Sequence, residues 1–186
     1  MKLFKLTVLF LLFSNIVIGQ TGVLKNPQQT QQRPAPKQVT KENYKAHAAG
    51  WLVDINEAYA LSKKTGKPIL ANFTGTDWCG WCMKLKREVF DTPQFKAWAA
   101  KNVVLIELDF PRRFQLPEEI KQQNYGLQQA FGVRGYPTIW VFNLGKDSEG
   151  KYTIDALGKT GYVRGVDAFT GGIDAMIKQH KEKKGS

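Results

Sequence analysis

Along the central part of the chain, apolar positions switch repeatedly between a helical and a strand period. Over residues 54–65, Ile55, Ala58, Tyr59 and Leu61 recur at helical spacing, with Asp54 as a candidate N-cap and Gly66 as a stop signal. Pro68 then opens Ile69-Leu70-Ala71-Asn72-Phe73, a short buried strand. A second helix is predicted from about Cys79 to Phe90, and a short third one from Thr92-Pro93 to about Ala100. Val103 to Leu108 is a β-branched, apolar run of the kind that forms a strand buried on both faces. Residues 117–131 suit a helix with Gln-rich exposed positions, and Thr138 to Phe142 a further strand. Lys151 to Leu157 alternates polar and apolar residues, as an antiparallel edge strand does, and Val166 to Gln179 closes the pattern with a helix. Trp51 to Val53 is a candidate extra strand. This alternation predicts an α/β fold: a mixed sheet of four or five strands with helices on both faces.

The ends of the chain follow other rules. Two lysines in Met1 to Lys5 precede an apolar run from Leu6 to Ile18, and Val17 and Gly19 offer small residues before a cut. That is the layout of a secretory signal peptide over 1–19. An uncleaved anchor is the alternative, but a spanning helix needs about 20 apolar residues. Residues 20–43 are rich in Gln and Pro and predict a linker, the folded domain is expected over 44–180, and 181–186 read as a frayed basic tail. Export implies a periplasmic or secreted, soluble protein. The formal net charge is +11, or +9 without Lys2 and Lys5. No nucleic-acid motif accompanies it, so solvated surface lysines explain it better than a nucleic-acid partner.

Export to a compartment where disulfides persist makes the cysteine count informative. There are two, Cys79 and Cys82, three positions apart, so neither can staple distant segments. They fall after a strand and at the start of a helix, where free backbone N–H groups and the helix dipole favour negative charge. The thiolate is the reactive form. Cys79 is therefore expected to be the exposed nucleophile. Cys82, on the same helical turn, is expected to be the buried thiol that resolves a mixed disulfide on it. Lys84, Lys86 and Arg87 add positive charge nearby. Zinc needs about four ligands, and the two histidines, His47 and His180, lie in the flanking regions. Haem attachment needs Cys-x-x-Cys-His, and Met83 occupies the last place. No cofactor beyond a redox-active disulfide is expected.

The stretch from Phe73 to Leu85, containing Trp78-Cys79-Gly80-Trp81-Cys82, resembles exported bacterial thioredoxin-like proteins, and Gly132 to Thr138 supplies a second landmark. The resemblance covers about residues 50–180 and implies a thioredoxin-like fold with thiol–disulfide exchange on cysteines of exported proteins. By that likeness Pro137 is cis and the Tyr136 backbone pairs with a substrate strand. From sequence physics alone, Tyr136-Pro137 is only an X-Pro step, cis in about 5–6% of folded cases. Trp78, Trp81, Tyr136 and Phe73 are candidates for an apolar substrate rim, with plain packing the alternative for Trp78 and Phe73. Asp77 reads as a turn residue.

Two departures from the family pattern matter. Gly80-Trp81 brings no positive charge between the cysteines, so a reducing or intermediate potential is expected. Asn72 occupies the place of the buried acid that thioredoxins keep beneath the cysteines. Glu107, in the neighbouring strand, is the candidate replacement, a general base that deprotonates Cys82; the alternative is a solvated surface carboxylate. Residues 112–125 look like an insertion. The implied partners are cysteine-containing exported proteins and a membrane thiol electron donor or oxidant, with the chain acting as a monomer. A binding or chaperone module without turnover is the competing reading of function.

Overall fold

The computed structural model describes residues 39–185. The signal peptide over 1–19 and most of the 20–43 linker lie outside them. Among the described residues no helix is long and apolar enough to cross a membrane.

The elements follow the predicted alternation. Helix α1 spans Ile55–Thr65, strand β1 Ile69–Thr74, α2 Gly80–Leu85, α3 Pro93–Asn102, β2 Val104–Asp109, α4 Glu118–Ala130, β3 Thr138–Lys146, β4 Tyr152–Thr160 and α5 Val166–Gly185. The sheet order is β2-β1-β3-β4. β1 pairs parallel with β2 and antiparallel with β3, which pairs antiparallel with β4. This is the expected mixed sheet, with four strands. The candidate strand at 51–53 reduces to a single bridge, Leu52 to Ile106. It is cut short because Trp51 still belongs to a turn on Ala48, while Asp54 already caps α1 by accepting from Asn56 and Glu57.

Strand parity sorts the core. Ile69, Ala71 and Phe73 of β1 and Val104, Ile106 and Leu108 of β2 face a layer with α1 residues Ile55 and Ala58. Leu70 and Leu105 face the other layer, built from Leu85, Phe95, Phe169 and Ile173 of α2, α3 and α5. Asn72 and Glu107 share that second parity and are direct neighbours across the parallel β1–β2 pair. Both therefore point towards the layer that carries α2.

Several boundaries differ from the sequence reading. The helix predicted from Cys79 to Phe90 is α2 followed by a π-helical turn, Lys86–Phe90, which buries Val89 and Phe90 together. β3 runs past Phe142 through Asn143 and Gly145, because backbone pairing with β4 holds residues that interrupt the apolar pattern. An Asp147 carboxylate accepting from Glu149 and Lys151 closes that hairpin. α5 continues through Gly185 where a frayed tail was expected from residue 181, with His180 and Lys184 reaching Asp155 of β4 at 3.0 and 2.6 Å. At the other end, residues 40–44 form a turn rather than linker, and Lys41 meets Asp54 at 2.6 Å.

Candidate active site

β1 ends at Thr74, and the chain turns through Gly75 to Trp78 before α2 begins. The Cys79 and Trp78 N–H groups both donate to the Gly75 carbonyl. A Cβ on Gly75 would stand 2.5 Å from the Trp78 indole, so this turn needs glycine to let the ring cross it. The indole N–H donates to the Phe110 carbonyl at 2.8 Å, and the Arg112 guanidinium lies over the ring at 3.7 Å. Asp77, read as a turn residue, accepts from the backbone N–H groups of Arg112 and Arg113. The loop after β2 is thereby tied to the turn that carries the cysteines.

Cys79 is the N-cap of α2, with extended backbone, and is disulfide-bonded to Cys82. Its Sγ accepts the Cys82 N–H at 3.2 Å. A hydrogen bond from the backbone favours the ionised form of a sulfur placed there. The expected contrast of an exposed Cys79 over a buried Cys82 is not seen in this state. Cys79 is 6% and Cys82 5% exposed. In the disulfide each sulfur shields the other, so the two sites differ by position, at the cap and within the helix, and not by exposure.

The Tyr136-Pro137 peptide is cis, as the resemblance implied. Trp78 and Tyr136 meet edge to face at 5.7 Å, which joins the cysteine turn to the Tyr136-Pro137 segment. The Tyr136 hydroxyl accepts from Gln128, and burial pushes its pKa up to about 12. Trp81 stands apart from this pair. It is 58% exposed, packs on Tyr162 at 5.0 Å, and has the Lys84 ammonium over its ring. Phe73 is fully buried between Phe110 and Phe131, so it packs the core and drops out of the rim.

Beneath the disulfide lies a cavity of about 240 Å3 whose walls include Cys82, Met83, Asn72, Thr76, Lys86 and Glu107. Glu107 is 4% exposed, which overturns the reading of a solvated carboxylate. Its Oε1 accepts from the His47 backbone N–H at 2.9 Å and lies 3.1 Å from His47 Nδ1. The Asn72 Oδ1 is buried with no hydrogen-bond partner among the described residues.

Sequence reasoning missed two members of this cluster. Asp109, just past the residues read as strand, is fully buried and accepts from the Thr76 N–H and hydroxyl at 2.9 and 2.6 Å. Burial raises its pKa against the pull of those hydrogen bonds. His47, placed by the sequence in a flanking region, sits on Glu107 across 60 positions of chain. The hydrogen bond to Glu107 holds His47 above the ordinary histidine range, with burial opposing it and the Glu107 and Asp109 charges adding to it. The one signal near it is that Tyr44 and Trp51 mark the start of the folded region. Among the described residues no group of three or more His, Cys, Asp or Glu side chains is arranged to hold a metal ion.

The model of the thioredoxin-like domain family matches residues 55–162. The disulfide bond reductase DsbH of Chlamydia pneumoniae is 40% identical over 95 residues, 51% of this chain and 55% of that protein. The thioredoxin-related protein DsbJ of the same organism is 31% identical over 117 residues, 63% of this chain and 33% of that protein. The chain thus spans about half the length of the first of these curated relatives and a third of the second. A solved structure of a DsbH oxidoreductase superposes with a TM-score of 0.59 at 31% identity, covering 77% of this chain and 93% of that one.

Proposed function

The chain belongs to the thioredoxin-like domain family, and from that premise we propose that it is a thiol–disulfide oxidoreductase acting on cysteines of exported proteins. The observation that carries this is the Cys79–Cys82 disulfide at the β1–α2 junction, with the Cys79 sulfur held by the Cys82 N–H. In the reduced protein the Cys79 thiolate attacks a client disulfide. One client sulfur leaves with an electron pair, and a mixed disulfide remains on Cys79. The Cys82 thiolate then displaces the client and restores the bond seen here. Trp78, Tyr136, Pro137 and the more distant Trp81 form the surface that receives the client, with the Tyr136 backbone pairing to it. Glu107 is the base for Cys82, supported by its burial on the same cavity.

The reaction runs in the reducing direction, fed by a membrane thiol donor. The name of one relative, a disulfide bond reductase, supports this, as does the absence of positive charge at Gly80-Trp81. The potential then lies well below the roughly −120 mV of a strong oxidant. Residues 1–19 direct the chain out of the cytoplasm, and it acts there as a monomer. Insulin reduction tests the activity. With a small dithiol as donor, catalytic amounts of the protein accelerate precipitation of the insulin B chain well above the donor alone. A rate equal to the donor alone would leave the binding or chaperone reading in place.

A further inference from the structure

A base that removes a proton from Cys82 in every cycle must lose it again before the next. Glu107 is poorly placed to do so directly, because it is almost completely buried. His47 bridges the gap. Its side chain is 39% exposed, and Nδ1 stands 3.1 Å from Glu107 Oε1. On the other side of the ring, Nε2 is 3.5 Å from Thr76 Oγ1. That hydroxyl gives its own hydrogen to Asp109 Oδ2, so it faces Nε2 as an acceptor. Both ring nitrogens therefore meet acceptors, an arrangement that suits the imidazolium. The His47 backbone N–H, bonded to the same Glu107 oxygen, fixes the segment in place.

We propose that His47 is a positioning and proton-relay residue that carries the proton taken by Glu107 from Cys82 out to solvent. This rests on the oxidoreductase reading above. His47 lies before the stretch matched by the family model, whereas Glu107, Thr76 and both cysteines lie within it. In the step, the Cys82 thiol gives its proton to the Glu107 carboxylate. The thiolate pair forms the Cys79–Cys82 bond as the bond from Cys79 to the client sulfur breaks, and the client leaves with that pair. The neutral imidazole draws this proton on from Glu107 as resolution proceeds and releases it to water, and the client thiolate takes one from water. The protein dithiol is oxidised and the client sulfur reduced. An external dithiol resets the pair.

The groups facing His47 are consistent with this use. Glu107 and Asp109 of β2 approach from one side, at 3.1 and 3.9 Å. Thr76 comes from the turn after β1 and the Phe114 ring from the loop after β2, at 5.7 Å. Lys86 of the π-helical turn opposes the imidazolium but is itself paired with Asp91 at 2.8 Å. Tyr44 is kept neutral by burial. The hydrogen bond to Glu107, with the Glu107 and Asp109 charges, holds His47 above its ordinary range against burial and Lys86, so the neutral, proton-accepting form grows in as pH rises through that raised value.

The test is rapid mixing of the reduced full chain with an aromatic disulfide whose thiolate absorbs visibly, across a range of pH. Attack by Cys79 releases one aromatic thiolate, and attack by Cys82 on the mixed disulfide releases the second. His47→Gln is expected to leave the first phase within about twofold. It should slow the second about tenfold once pH passes the raised His47 range, within the roughly 100-fold or more that a general base contributes, and remove the histidine step from its pH profile. The His47→Gln/Glu107→Gln double variant should be no slower than Glu107→Gln alone. By NMR, the His47 titration should fall towards the ordinary range in Glu107→Gln. A second phase in His47→Gln that overlays the wild type at every pH overturns the relay; if Glu107→Gln is slow at the same time, the base assignment survives. A Glu107→Gln second phase equal to wild type removes the base and the relay together. Absence of both phases in the reduced wild type removes the oxidoreductase reading itself.

Discussion

A Cys82→Ala variant is expected to accumulate clients on Cys79 as stable mixed disulfides, and a Cys79→Ser variant to accumulate none. The reason is geometric. Cys82 lies one helical turn from Cys79 and already contacts its sulfur through the backbone N–H. Held there, its thiol competes with free thiols at an effective concentration of about 10⁵ M or more, the range reached by well-oriented intramolecular reactions. Removing it leaves only dilute external thiols to break the mixed disulfide, and its lifetime rises from transient to isolable. Removing Cys79 leaves a single thiol within α2, without the cap position that stabilises a thiolate, and insulin reduction falls to the donor's background. Non-reducing electrophoresis and intact-mass measurement after thiol quenching read both results. Covalent complexes forming on Cys82 in Cys79→Ser would reverse the assigned roles.

Glu107→Gln is expected to slow release of the mixed disulfide about 100-fold while leaving its formation nearly unchanged, the low end of what a positioned base contributes. The substitution keeps the shape of the side chain and an oxygen that can accept from the His47 backbone N–H. It removes the charge and the capacity to take a proton. Asn72, the direct neighbour across the strand pair, is an amide and cannot substitute for it. Asp109 is the other buried carboxylate nearby, but its oxygens are held by Thr76 and the Phe110 N–H. Single-turnover release measured with a client peptide on Cys79 checks this. Equal release rates for variant and wild type would remove Glu107 from the mechanism.

Several parts of this picture were legible in the chain because they depend on local signals. Pro68 and the run to Phe73 mark β1, Asp54 marks the start of α1, and Cys79 to Cys82 mark the junction where thiol chemistry sits. The cis state of Pro137 was legible only through the likeness of Gly132 to Thr138 to a known family, since nothing local to an X-Pro step selects it. The face of Glu107 was not legible. A strand buried on both sides has no polar and apolar alternation to read, so its parity emerges only when β2 registers against β1. His47 was further from reach. It precedes the elements with regular periods, and its role arises from a contact 60 positions away. The pairing of Arg112 with Trp78 and the extension of α5 onto Asp155 likewise depend on tertiary neighbours.

The proposed reaction requires Cys79 to be the sulfur that ionises and meets solvent once the pair is reduced. Brief alkylation of the reduced, folded chain across pH, with each modified cysteine located by peptide mass, measures this directly. Cys79 is expected to react first and to keep reacting at pH values well below the ordinary thiol range of about 8.5, while Cys82 stays protected until the protein unfolds. Equal, slow modification of both residues at neutral pH, or faster reaction at Cys82, would contradict it.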